Sequence, residues 1–241
     1  MNPWKAFAEA RNAGPERFAA FLDEFDWNLL ALHELGPLLA SELEQPGVPE
    51  AVRRCVQTLR ERGWPGDEEL ADQLDAVLGD GERPDLIDLP IELDLLVGAL
   101  EGDPVHRGGA IDLRTGNLYS QDEIDQFAWT DPEDLPAWAE PIDIEENPDD
   151  WLAFDSRGSR DGYRDMEYFI ATVEGEKLAE RLSRAISGRG AFRRFRDVVF
   201  DTPEEARWNA VSSDRRLGRA REWLALEGYC PVPNRPTPDA G

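Results

Sequence analysis

Residues 155–197 read DSRGSRDGYRDMEYFIATVEGEKLAERLSRAISGRGAFRRFRD and concentrate nine arginines in a chain whose net charge is −25. A guanidinium presents a planar fork of donors that matches carboxylate or phosphate oxygens, so the first chemistry this stretch offers is anion recognition. Two local patterns carry it. In GRGAFRR, residues 188–194, flexible backbone and arginines meet at a helix entry, where N–H groups and the forks of Arg189, Arg193, Arg194 and Arg196 can face an anion. The plainer reading is that the glycines permit a tight helix–helix corner, Arg193 pairs with Asp197 four residues on, and Arg194 is solvated. No complete GxxxxGKS/T or GxGxxG motif accompanies the glycines, which favours the plainer reading.

The second pattern is DSRGSRDGYR, residues 155–164. A helix starting near Ser159 places Arg160, Tyr163 and Arg164 on one side, just after Asp155 and Arg157, so that a phenol and two guanidinium groups converge on an anion or a nucleic-acid base. Tyr163 also belongs to an apolar stripe with Met166 and Ile170, and its hydroxyl then finds a partner at the core edge. The binding candidates are Arg157, Arg160, Tyr163, Arg164, Arg189, Arg193, Arg194 and Arg196.

Conventional catalytic sets are weak. His33 and His106 are the only histidines, without an evident nucleophile or metal spacing, and each reads as a structural or surface residue. Glu145, Glu146, Asp149 and Asp150 lack the oxygen-ligand spacing and glycine of a calcium loop, so they read as a solvated acidic linker. Cys55 and Cys230 show neither CxxC spacing nor a disulfide framework and read as free thiols. No catalytic residue, metal site or cofactor is expected.

Charge is unevenly placed. Residues 1–150 hold 10 basic and 36 acidic side chains, whereas residues 151–241 hold 16 and 15. The acidic part repels phosphate backbones at long range and argues against nonspecific nucleic-acid binding. It reads as a solvated surface first and as a nucleic-acid mimic second, because only Lys5 and Lys177 are lysines and such usage suits a GC-rich or salt-adapted source. No apolar run reaches the roughly 18–20 residues of a membrane span, and the start, MNPWKAFAEARNAG, lacks a signal-peptide profile, so a cytoplasmic protein is expected.

The elements that must position these residues follow from hydrophobic period. With 41% hydrophobic residues in 241, the chain can bury one sizeable core or two modest ones. Pro3 and Pro15 open two short helices, a third pattern spans 28–44 around Pro37, and others span 50–62 and 67–78, with Gly63 as a stop. Residues 79–90 read as a linker, and 90–100 as a short helix. GAIDLRTGNLY, residues 109–119, predicts a β-hairpin, which Trp151–Phe154 joins as a third strand; the prolines of 131–150 predict extended chain between them. Helices return in 163–173, 178–186, 192–199 and 203–228, the last with a possible break at Ser212 and Ser213, before a flexible tail at 230–241. The class is α+β, mostly α-helical: a helical N-terminal part, a small central antiparallel β element and a helical C-terminal part. The expected domains are an acidic helical subdomain at 1–79 and an α+β domain at 86–229.

DLPIELDLLVGALEGD, GGAIDLRTGNLY, DSRGSRDGYRDMEYFIATV, GRGAFRRFRDVVFD and REWLALEGY, spread over residues 86–229, resemble the UPF0158 family of bacterial proteins. The resemblance implies that these segments form one unit; it supplies no activity, and nothing about residues 1–85. The function expected is therefore an intracellular binding or regulatory module that contacts a protein partner, rather than a membrane, through the Arg-bearing C-terminal part. Nucleic-acid binding through the same arginines is the alternative, and an enzyme of unrecognised type is the third reading.

Overall fold

The computed structural model describes residues 3–24, 26–27, 31–102, 108–128 and 142–232. The N-terminal helices are α1 (Pro3–Asn12), α2 (Pro15–Glu24), α3 (Leu32–Ala40), α4 (Val48–Arg62) and α5 (Asp67–Leu78). A mixed middle follows: β1 (Ile87–Pro90), α6 (Leu93–Leu100), β2 (Gly109–Asp112), β3 (Leu118–Ser120), α7 (Gln121–Ala128) and β4 (Trp151–Phe154). The remainder is α8 (Arg160–Ala171), α9 (Glu176–Ala185), α10 (Ala191–Val199), α11 (Glu205–Leu226) and β5 (Tyr229–Val232). The protein is thus α+β and mostly helical. No helix among the described residues is long and apolar enough to cross a membrane.

By contact the chain groups into two compact units, Met1–Asp85 with Asp161–Trp223, and Leu86–Arg160 with Leu224–Gly241. The helical C-terminal segment therefore groups with the N-terminal helices rather than with the central strands, unlike the division at 1–79 and 86–229 read from charge and resemblance.

In the first unit the apolar stripes meet in two cores. Phe7 and Phe18 join α1 to α2 edge-to-face at 5.2 Å, and Leu35, Leu39, Val52, Cys55, Leu59, Leu70 and Leu74 extend that core through α3, α4 and α5. The second core holds Met166 and Phe169 of α8, Leu182 of α9 and Phe195 and Val199 of α10, with Trp208 of α11 packed against both phenylalanines. Fully burying each such side chain contributes about 1.5–3 kcal/mol, which places these seams above any surface pair in importance.

In the second unit β3, β2 and β4 form an antiparallel sheet in that order, with Ala110 opposite both Tyr119 and Ala153. The connecting turn is tied by Arg114, which donates to Asp112 Oδ1 at 2.9 Å and to both Asp143 oxygens at 3.0 Å. Asp143 also accepts from the Trp151 indole N–H at 2.9 Å. Arg114, then Trp151, hold the Asp143 carboxyl down to about 2. Ser120 caps α7 by a capping box: its N–H donates to Glu123 Oε2 at 2.8 Å, and its hydroxyl oxygen accepts the Glu123 N–H at 3.3 Å.

Several sequence-based boundaries move. Residues 87–90 are not linker: β1 pairs in parallel with β5, and so draws Cys230, Pro231 and Val232 out of the expected tail. Four-residue strands with a proline each carry too little alternation to register as strands. Helix α11 runs unbroken through Ser212 and Ser213, because Asp214 and the residues around it are engaged by other helices. Helix α3 begins at Leu32 and contains Pro37 without dividing. Helix α7, Gln121–Ala128, is not anticipated by the sequence pattern. Most of the expected extended stretch at 131–150, together with His106, the start of the 28–44 pattern and residues 233–241, lies outside the described residues; 148–150 form a 3-10 turn.

One backbone approach decides how α11 packs. A Cβ placed on Gly218 would lie 2.1 Å from the Pro65 carbonyl oxygen, and one on Gly66 would lie 2.1 Å from the Gly218 carbonyl oxygen. Only glycine allows the two backbones to touch. Gly218→Ala adds helix propensity of about 1 kcal/mol, yet the clash forces the helix outward, and we expect a net loss of about 1–3 kcal/mol in urea denaturation. Unchanged or increased stability would show that α11 can shift freely.

Candidate functional site

Helices α9 and α10 carry the arginine candidates on a ridge whose inner side is spent on the core. Along α10 the buried seam is Ala191, Phe195 and Val199, in steps of four. A spacing of three and four from Phe192 through Phe195 to Val199 predicts Phe192 on that seam, but this ring is 46% exposed, because the small Ala191 takes the position facing the core. Phe192 instead lies over α8, where a Cβ on Gly162 would come within 3.0 Å of it. Phe200, just beyond α10, is 66% exposed. Sequence reading missed both aromatics as surface features; the step of four from Ala191 was the available signal.

Arg189, Arg193 and Arg196 are exposed along this face, as is Arg181 on α9. The side chains of Arg181, Arg189 and Arg196 make no ion pair among the described residues. Arg193 stands 3.9 Å from Asp197, both largely exposed, as the plainer reading expected. Arg194 is a correction: it is not merely solvated. Its guanidinium donates to the carbonyl oxygens of Ala185 (3.0 Å), Ser187 (2.7 Å) and Arg189, and so satisfies the carbonyls left open where α9 ends. Gly188 and Gly190, at φ 81° and 74°, make that corner possible.

The other candidates are dispersed. Arg157 is exposed in the loop before α8 and gives its backbone N–H to Leu100 O at 2.7 Å. Arg160 is exposed at the first turn of α8, and Arg164 pairs with Asp161 at 3.1 Å. Tyr163 packs against the second core. Among the described residues no group of three or more His, Cys, Asp or Glu is placed to hold a metal ion.

The first unit also holds a buried polar network that sequence reading did not find. Arg62 grips Asp67 with a two-pronged fork, Nε to Oδ2 at 2.8 Å and Nη2 to Oδ1 at 2.7 Å, and reaches Asp214 Oδ2 with Nη1 at 2.5 Å. His33 gives its backbone N–H to Asp214 Oδ1 at 2.8 Å, while its Nε2 lies 3.0 Å from Asp67 Oδ1. Arg221 Nε faces His33 Nδ1 at 3.4 Å, so the neutral Nε2–H tautomer satisfies both neighbours. Nearby, Asp165 of α8 takes Arg215 Nε at 2.5 Å and Arg219 Nη1 at 3.0 Å, both from α11. These carboxylates interrupt apolar seams: Asp67 precedes Leu70 by three, Asp214 precedes Leu217 by three, and Asp165 precedes Phe169 by four. A charge on the buried stripe was the legible warning.

The side chains of His33 and Asp67 are closed off from solvent, at 0% and 1% exposed. Burial likewise pushes the Cys55 thiol up to about 12, so it stays protonated and inert at neutral pH. Burial pushes His33 below its ordinary value, against the opposing Asp67 hydrogen bond. For Asp67, burial pushes the carboxyl up, but the bonds from Arg62, His33 and Trp64 together hold it below the usual value.

Both shifts have the same consequence. The unfolded chain takes up a proton at an ordinary histidine, about pH 6.5, where folded His33 does not. Stability is therefore full above about pH 6.5 and falls as the pH drops, and a second loss begins below about pH 4 as Asp67 follows. Urea melts between pH 7 and 5 should show this decline in the native chain and a flatter profile in His33→Gln, which keeps a donor for Asp67 but does not titrate. A slope unaffected by the substitution would exclude His33 as its source.

On the ridge, Arg194→Ala should cost about 1 kcal/mol or more, and Arg193→Ala well under about 1 kcal/mol, both measured by thermal melting. Equal losses would contradict the assigned roles. No protein-family model, curated protein or solved structure matches the chain.

Proposed function

We propose that the protein is a binding or regulatory module that docks an acidic surface of a protein partner on the outer face of α9 and α10. The single observation behind this is the exposure, within one short stretch of chain, of Arg181 on α9, Arg189 at the corner and Arg193 and Arg196 on α10, together with exposed Phe192 and Phe200. Aromatic anchors flanked by arginine are the residue types that dominate protein–protein contacts, the ring supplying area and the guanidinium a carboxylate-matching fork. Asp197, Glu176 and Glu180 are interspersed on the same helices, and they would lie against a phosphate backbone at a cost. That mixture supports a protein surface over nucleic acid. Under this proposal the module works inside the cell, has no catalytic role, and belongs with the UPF0158 family on the segments quoted above.

Tagged full-length protein, native and with Arg189, Arg193 and Arg196 each changed to Glu, separates the readings. From a lysate of the native host, the native chain should retain a protein partner after nuclease treatment and the charge-reversed chain should lose it. Retention by both chains would overturn the assigned surface. Loss of the bound material on nuclease treatment would replace the protein partner with nucleic acid.

A further inference from the structure

The second unit contains a cavity of about 590 Å3, lined on one side by residues 116–120 and on another by Leu95, Gly98, Ala99 and Gly102. Successive residues of a strand point to opposite faces of its sheet, so a space that touches all of 116–120 runs along the edge of β3 rather than over one face. That edge is open. β3 is an outer strand, with β2 on one side of it. Asp112 N donates to Asn117 O and Gln121 N to Gly108 O, both at 2.9 Å, so the hydrogen-bonded pairs fall at 112/117, 110/119 and 108/121. Leu118 and Ser120 therefore turn their backbone groups away from β2. The Ser120 N–H is taken by Glu123, and its carbonyl, at the cap of α7, serves that helix. The N–H and C=O of Leu118 have no hydrogen bond among the described residues.

We propose that this cavity is a docking groove for an extended, basic segment of a partner protein, which adds to the edge of β3 through Leu118. An open strand edge is a template for a further strand, and Leu118 offers the guest one donor and one acceptor. β3 is three residues long, about 10 Å, so the strand it can accept is equally short. The opposite wall suits a backbone at close range. Leu95, Gly98 and Ala99 share one face of α6 at steps of three and four, and a Cβ on Gly98 would meet nothing within 4 Å. Leu95, 59% exposed, gives apolar side chains of the guest a surface to cover. Charge selects the guest. Glu92 and Glu123 line the cavity, and no basic side chain does so among the described residues. Residues 86–160 as a whole hold 19 acidic and four basic side chains, and Arg114, one of the four, is already held by Asp112 and Asp143. An acidic segment or a nucleic acid meets repulsion there, whereas a lysine or arginine meets carboxylates.

Random decapeptides displayed on phage and selected on the full chain test this directly. Enriched sequences should carry lysine or arginine beside β-branched or aromatic residues, and their synthetic forms should bind saturably, tighter than about 100 μM. Gly98→Phe fills the groove from an exposed helix position with open space around it, and should weaken binding by about tenfold or more. If that variant unfolds, Glu92→Lys, on the exposed residue before α6, reads the same site and should weaken binding by about threefold or more. N-methylation of the bound peptide, one amide at a time, should cost about tenfold at one central position and little at its neighbours, because alternate amides of an added strand point away from β3. Reversing Arg189, Arg193 and Arg196 should leave this binding unchanged, which separates it from the ridge. Selection of acidic sequences, absence of any enriched sequence that responds to Gly98→Phe or Glu92→Lys, indifference to N-methylation at every position, or equally tight binding of arginine amide alone would overturn the proposal.

Discussion

Arg62 holds two buried carboxylates that come from opposite ends of the chain, Asp67 five residues away and Asp214 on the last helix. Taking these charges out of water costs several kcal/mol for each ion, and mutual pairing offsets that cost only when the geometry is complete. The consequence lies in which partners are allowed. A packing of α11 that left Asp214 facing apolar surface would bury an uncompensated charge, so the apolar seams, which alone tolerate sliding, acquire one register. His33 reinforces the choice by binding Asp214 through its backbone and Asp67 through its ring. The Gly66–Gly218 contact lies on the same side of the unit and admits no side chain between the two backbones.

The ridge depends on this arrangement at one remove. Asp165 fixes α8 to Arg215 and Arg219 of α11, and α9 and α10 then pack on α8 and α11 through Leu182, Phe195 and Trp208. With the inner faces committed, Arg181, Arg189 and Arg196 are left exposed, and Arg193 has only its exposed neighbour Asp197. Arg194 closes the corner between the two helices and keeps the neighbouring arginines on a stiff turn.

A count of arginines overstates the charge on offer. Arg62, Arg114, Arg207, Arg215 and Arg219 are engaged by carboxylates within their own unit, and Arg194 by backbone carbonyls. Aromatic rings take further guanidinium faces, with Arg62 and Arg215 both over Trp64. In an acidic chain most basic side chains are used internally, and the few on α9 and α10 that remain open are correspondingly informative.

Sequence alone determined whatever depends on local period and turn chemistry. Steps of three and four located most helices, residues 109–119 predicted the hairpin, and Asp197 four residues after Arg193 predicted their pairing, because each involves neighbours along the chain. The charge imbalance and the arginine-rich segment were equally legible. Tertiary structure decided everything that needs a partner distant in sequence. The parallel pairing of Ile87–Pro90 with Tyr229–Val232 has no local signature, and neither does the meeting of His33, Arg62 and Asp67 with Asp214. A carboxylate on an apolar stripe announces that something must neutralise it; which arginine does so is set by the packing of helices more than a hundred residues apart in the chain, through the cost of burying a charge alone.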